Sequence, residues 1–145
     1  IIKENLGKSV NSKYEEVAPV ITPDGRTLYF TRDGHDLNTG KYVWKIPFGD
    51  EPALAKQGIT GTGAENYGGP IVTASGLLII GAAKDGKLRI YASKTGKLLR
   101  TITLPAAAFA TPSTYAMNGK QFIVIACGGT KLGTPKGNKY IAFSL

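Results

Sequence analysis

Along this chain short apolar runs, rich in Ile, Val, Leu, Tyr and Phe, are separated by clusters of Gly, Pro, Asn and Asp. Runs of about 4–8 residues bounded by such turn formers predict β-strands. No window sustains the period of an amphipathic helix. The best helical candidate, Pro52 to Gln57, spans about one turn. Val20 and Ile21 end a first strand, Thr22-Pro23-Asp24-Gly25 makes a turn, and the chain returns from Thr27 to Thr31. Pro presets φ in such a turn and Gly accepts a positive φ. A second turn, Asp36 to Lys41, leads into Tyr42-Val43-Trp44-Lys45-Ile46, and a loop rich in Gly, Pro and Ala runs from Pro47 to Gly69.

The clearest unit follows. Strands are predicted over Pro70–Ala74, Leu77–Ala82, Lys87–Tyr91 and Leu98–Thr103, separated by Ser75-Gly76, Asp85-Gly86 and Lys94-Thr95-Gly96. Short antiparallel strands joined in this way, four at a time, make a propeller blade. After Pro105 a new meander opens, with Thr114–Met117, an Asn118-Gly119 pair suited to a type I′ turn, and Lys120–Cys127. A Gly-rich loop from Gly128 to Asn138 precedes a last strand, Tyr140–Ser144. The pattern predicts an all-β chain, a partial β-propeller of about two and a half four-stranded antiparallel blades. An internal echo agrees. Leu37-Asn38-Thr39-Gly40-Lys41-Tyr42-Val43-Trp44 parallels Ser93-Lys94-Thr95-Gly96-Lys97-Leu98-Leu99-Arg100, each carrying Thr-Gly-Lys before an outer strand.

Composition changes this picture little. The 145 residues suffice for one domain, and 42% are hydrophobic, which excludes global disorder. The net charge of +8 would suit an anionic partner. Its lysines are scattered at turns (Lys41, Lys87, Lys97, Lys120, Lys139) with no dense basic run, so no nucleic-acid role is expected. The lone Cys127 forms no internal disulfide and, inside Phe122–Cys127, reads as a small buried hydrophobe. No apolar stretch reaches the roughly 18 residues of a membrane span. No signal peptide is visible, so an export signal is read as removed or not included.

Several motifs carry a resemblance. Asp36 to Trp44 looks like the tryptophan-docking motif of quinoprotein dehydrogenases, in which a Trp packs between neighbouring blades. In the second copy Arg100 stands where that family has Trp. Glu65-Asn66-Tyr67-Gly68-Gly69-Pro70 resembles the family's Gly-Gly segment before the following blade. Ala110-Thr111-Pro112, Asn118-Gly119-Lys120-Gln121 and Cys127-Gly128-Gly129 resemble the end of the membrane-type, pyrroloquinoline-quinone-dependent glucose dehydrogenases. Residues 36–145 therefore look like the C-terminal propeller blades of such an enzyme. Residues 1–35 are set apart, because 8–34, with Thr22-Pro23-Asp24-Gly25, resemble a TolB-like propeller repeat of cell-envelope proteins.

The resemblance implies an exported, eight-bladed parent, periplasmic or otherwise extracytoplasmic, that oxidises sugars or alcohols. Its pyrroloquinoline quinone lies on the propeller axis with a Ca²⁺, and an Asp acts as base. The calcium ligands and that Asp belong to earlier blades, so this chain is expected to carry no catalytic or metal residue and to be inactive alone. The segment expected to touch the cofactor is Asn66, Tyr67, Gly68 and Gly69. Tyr67 stands where related alcohol dehydrogenases carry a ring-contacting Trp. A flat aromatic beside two glycines suits a planar quinone, and equally suits a turn whose Tyr caps the blade. Asp24 and Asp85 precede Gly in tight turns and read as turn formers. His35, between Asp33-Gly34 and Asp36, reads as a solvated loop residue. Trp44 reads as inter-blade core. Partners expected are a sugar or alcohol in the parent, the remaining blades, or further copies of the chain. A rival class is a non-catalytic propeller module that binds protein or glycan in the cell envelope, and a third is a purely structural repeat.

Overall fold

The computed structural model describes residues 19–29 and 33–144, the side chains of 33–35 excepted. Three antiparallel sheets follow one another along the chain. The first contains β1 (Val20–Ile21), β2 (Thr27–Tyr29), β3 (Asp33–Asp36) and β4 (Tyr42–Lys45). A loop with a single helical turn, α1 (Pro52–Ala55), leads to the second sheet. That sheet contains β5 (Ile71–Val72), β6 (Leu77–Ile80), β7 (Lys87–Ala92) and β8 (Leu98–Thr103). The third has β9 (Ser113–Met117), β10 (Lys120–Gly129) and β11 (Lys136–Ser144). Two complete blades and a three-stranded one are the partial propeller the pattern predicts.

The turns follow from their residues. Asp24 accepts hydrogen bonds from the Thr22 hydroxyl (2.5 Å) and the Arg26 amide (3.1 Å), which fastens the β1–β2 turn. Asp36 accepts three, from the Asn38 amide and from the Thr39 amide and hydroxyl. Both carboxyls are held below the usual carboxylate range, chiefly by the Thr hydroxyl each accepts from. Asn118 and Gly119 both have positive φ (51° and 74°), as a type I′ turn requires.

Two expectations need adjustment. His35 lies within β3, its backbone paired with Leu28 and Tyr42, and not in a loop. The loop expected over 128–138 shrinks to the segment between Gly129 and Lys136, because β10 and β11 pair from Phe122–Ser144 to Gly129–Lys136 across a bulge. The backbone pairing absorbs glycines that read as loop in sequence. The first sheet takes β1 and β2 from before residue 36, β4 from after it, and β3 ends there. The stretch before residue 19, on which much of the TolB-like resemblance rests, lies outside the described residues.

Among the described residues, each apolar cluster is shared between two sheets. The first apolar cluster joins sheets one and two: Tyr29, Phe48, Leu78, Ile80, Ala82, Ala83 and Tyr91, with Val20, Trp44, Ile46 and Val72 packed against it. The second joins sheets two and three: Ile79, Leu88, Leu104, Ala106, Ala108, Ile123, Ile125 and Cys127. Successive side chains of β6 point to opposite faces, so Leu78 and Ile80 serve one cluster and Ile79 the other.

Trp44 makes the first junction. Its indole N–H donates to the Ser93 carbonyl (2.6 Å), and the Tyr29 hydroxyl donates to the same oxygen (2.5 Å). The two rings stack at 5.4 Å. Trp44 lies flat on Gly96, where an added Cβ would sit 2.8 Å from the indole Cδ2. The Gly of the second Thr-Gly-Lys is thus the floor for the Trp that follows the first. Arg100, the matching residue on β8, is exposed. Beside it a cavity of about 410 Å³ opens between sheets two and three, lined by Leu88, Ile90, Ile102, Ile123 and Phe143 among others.

Candidate functional site

The segment singled out by sequence sits at the seam where sheets two and three begin. Gly68, Gly69 and Pro70 lead directly into β5, and Phe109, Ala110 and Thr111 lead towards β9. The two approaches touch. The Gly69 amide donates to the Thr111 hydroxyl (3.1 Å). A Cβ on Gly68 would lie 2.4 Å from the Phe109 carbonyl oxygen, and its φ is +83°, so only glycine fits there. The Tyr67 amide donates to the Ala82 carbonyl (3.0 Å), which ties the segment to the end of β6.

This backbone presents the Tyr67 ring. It is 42% exposed, large for an aromatic held so firmly by its main chain. Phe109 meets it edge-on, centroids 6.3 Å apart and planes at 82°. The Lys131 ammonium lies over the ring, 4.5 Å from its centroid. Lys131 belongs to a short 3₁₀ turn, Lys131–Gly133, between β10 and β11. Sequence reading missed Phe109 and Lys131. Phe109 carries no local signal, and Lys131 is 64 residues from Tyr67 by position number (131 − 67).

The other three residues divide. Gly68 and Gly69 hold the backbone that follows Tyr67 against Phe109 and Thr111. Asn66 turns away: its side-chain amide donates to the Ala64 carbonyl (2.8 Å), and its backbone bridges to Ala83. Asn66 lines a separate cavity of about 450 Å³, with Lys45, Pro47, Phe48 and Thr62 among its walls.

Asp85 does more than shape a turn. Its carboxylate accepts from the Lys87 amide (3.2 Å) and from the Asp50 amide (3.0 Å), and it pairs with the Arg89 guanidinium. Asp50 in turn accepts from the Gly61 amide (2.8 Å), Arg89 (3.2 Å) and Lys87 (3.3 Å). The Gly61 hydrogen bond first, then Lys87 and Arg89, hold the Asp50 carboxyl below its ordinary range despite its burial. Burial works against the charge of Arg89, but its bonds to Asp85 prevail and raise it further. This network clamps the loop between β4 and β5 onto sheet two. Both carboxylates are spoken for by cations. Among the described residues no group of three or more His, Cys, Asp or Glu is placed to hold a metal ion. No described helix is long and apolar enough to cross a membrane. Burial raises the Cys127 thiol, in keeping with its place in the second core.

The profile of the PQQ family described as "Glucose/ethanol/alcohol dehydrogenase, beta-propeller domain" matches residues 5–123. The chain belongs to this family. Among curated family members, quinoprotein glucose dehydrogenase A of Acinetobacter calcoaceticus is 38% identical over 117 residues, which is 77% of this chain and 15% of that protein. The glycerol dehydrogenase large subunit of Gluconobacter thailandicus is 36% identical over 117 residues, 76% of this chain and 16% of that one. The quinate/shikimate dehydrogenase (quinone) of Acinetobacter baylyi is 32% identical over 130 residues, 85% and 16%. A europium-containing methanol dehydrogenase superposes with a TM-score of 0.51 at 26% identity, over 71% of this chain and 15% of that one. The chain thus spans about 15% of the length of the relatives it resembles.

Proposed function

We propose that this chain forms part of the propeller wall of a dehydrogenase that oxidises glucose or a related sugar or alcohol with pyrroloquinoline quinone. The reading rests on one observation, the Tyr67 ring. It is flat, half-open to solvent, and raised on a backbone where Gly68 leaves no room for a side chain. A planar aromatic ligand needs such a platform, and aromatic pairs gain from offset stacking. The donor set fits the quinone: an aromatic face from Tyr67, a second aromatic wall from Phe109, and a rigid seam beneath from Gly69 and Thr111.

When bound, the quinone supplies the two-electron acceptor that sugar oxidation needs. The residues of this chain would hold it: Tyr67 would offer an aromatic face and Phe109 a second aromatic wall. The Asp50–Asp85–Arg89 clamp keeps the preceding loop from shifting the Tyr67 backbone. A base and a Ca²⁺ site are assigned to other blades of the parent, so the chain alone is inactive. An extracytoplasmic location belongs to the same reading, as does the division of the chain at residue 35.

Titration of the full-length protein with pyrroloquinoline quinone, followed by quenching of Tyr and Trp fluorescence, tests this. Saturable quenching is expected. Tyr67→Ala should weaken it by roughly 2- to 10-fold, the scale of one lost aromatic stack. Absence of saturable quenching in the wild type would leave the non-catalytic envelope module as the better account.

A further inference from the structure

We propose that Lys131 is the counter-ion of the Tyr67 site and selects flat ligands that carry carboxylates. This rests on the quinone reading above. The ammonium already covers a face of the ring, 4.5 Å from its centroid. Among the described residues Lys131 makes no ion pair. Its positive charge is therefore held against an aromatic face and not against an acid.

The backbone keeps it there at a cost. Thr130 and Leu132, on either side, have φ of 75° and 54°. Side chains branched or bulky at these positions disfavour that region, and such strain persists only where the surroundings enforce it. Here they do. The Thr134 amide (3.0 Å) and hydroxyl (2.9 Å) both donate to the Lys131 carbonyl. The Gly129 amide donates to the Ala107 carbonyl (2.9 Å), which ties the turn to the segment leading to Phe109 and Thr111. The strained turn and the ring platform are parts of one seam.

A flat ligand that takes this face of Tyr67 must displace the ammonium. An uncharged ligand gives nothing back for the lost cation–π contact. A ligand with carboxylates at its rim keeps the ammonium beside it as a charge-assisted partner. The site thereby separates planar anions from planar neutrals.

The full-length protein is titrated with pyrroloquinoline quinone and with its trimethyl ester, the same ring without its charges, by calorimetry at low and high salt. The wild type should prefer the free acid. Lys131→Met should weaken binding of the acid roughly 10–100-fold, the range of one charge-assisted bond. It should leave the ester unchanged or bound more tightly, and flatten the salt dependence. Lys131→Arg should restore the preference. If the wild type binds the acid and Lys131→Met, with an unchanged circular dichroism spectrum, binds it equally well, the counter-ion role is wrong while the quinone reading stands. If the wild type binds neither compound, both fall together.

Discussion

The contact between Trp44 and Gly96 makes a quantitative test of inter-blade packing. An alanine at residue 96 incurs two separable penalties. The first is conformational: φ at Gly96 is +69°, and an L-residue there costs about 1–2 kcal/mol. The second is steric: the new Cβ lies 2.8 Å from the indole Cδ2, roughly 0.7 Å inside the optimal carbon separation of about 3.5 Å. The indole must retreat, drawing its N–H from the Ser93 carbonyl and its ring from Tyr29. Overpacking of this kind costs about 1–3 kcal/mol. Gly25 supplies the control, since its φ is also +69° and nothing lies within 4 Å of an added Cβ. Urea unfolding followed by circular dichroism should therefore give about 1–2 kcal/mol for Gly25→Ala and about 2–5 kcal/mol for Gly96→Ala. Trp44→Ala alone should cost about 3 kcal/mol. In that background Gly96→Ala should fall to the Gly25 value, a coupling of about 1–3 kcal/mol. Equal losses for Gly96→Ala with and without Trp44 would refute the docking argument.

Arg89→Met leaves Asp50 and Asp85 buried without their shared counter-ion and should destabilise by about 3–5 kcal/mol in the same assay, with Asp50→Asn and Asp85→Asn added to it recovering part of the loss. Burial pushes the Tyr91 hydroxyl up from 10.0 to about 12. Above pH 10 the unfolded state then loses this proton while the folded state keeps it, so stability should fall between pH 10 and 12, less steeply in Tyr91→Phe, as read from unfolding midpoints across that range. The outer face of the third sheet exposes Tyr115 (44%), Met117 (54%) and Tyr140 (82%), and the 145-residue chain should self-associate through it. Light scattering that finds only monomer, unchanged by Tyr115→Ser with Met117→Ser, would reject that.

Much of this fold was legible in local chemistry. Thr22-Pro23-Asp24-Gly25 and Asn118-Gly119 dictate their turns within a few residues, and the apolar runs between turns have one sensible pairing. Trp44 was legible through the repeated Thr-Gly-Lys, although its floor, Gly96, lies 52 positions on (96 − 44). What sequence did not reveal is built from distant charges and from strain. Asp85 looked like a turn former because its nearest neighbours explain it. The Asp50 amide that donates to it lies 35 positions away, beyond two strands. Lys131 sat in a Gly-rich stretch whose path depends on β10 and β11 continuing to pair through glycine. Asn66 and Tyr67 are adjacent in sequence but turn to different sides of the segment, which residue types alone do not disclose.

The two-faced burial of β6 bears on how its alignment is chosen. In a sheet with one wet face, sliding a strand by one residue throws its apolar side chains into water, and solvent itself rejects the error. For Leu77-Leu78-Ile79-Ile80 that safeguard is absent, because a slip would merely exchange which cluster each side chain enters. Selection of the correct alignment passes to the hairpin corner. The Thr73 hydroxyl accepts from the Leu77 amide (3.0 Å), the Gly76 amide donates to the Thr73 carbonyl (3.0 Å), and the Ser93 amide donates to the Gly76 carbonyl (2.9 Å). Ser93 is also the residue whose carbonyl receives Tyr29 and Trp44. The corner that indexes the middle blade is thus the one on which its neighbour is seated, and an indexing error there would forfeit the seat as well.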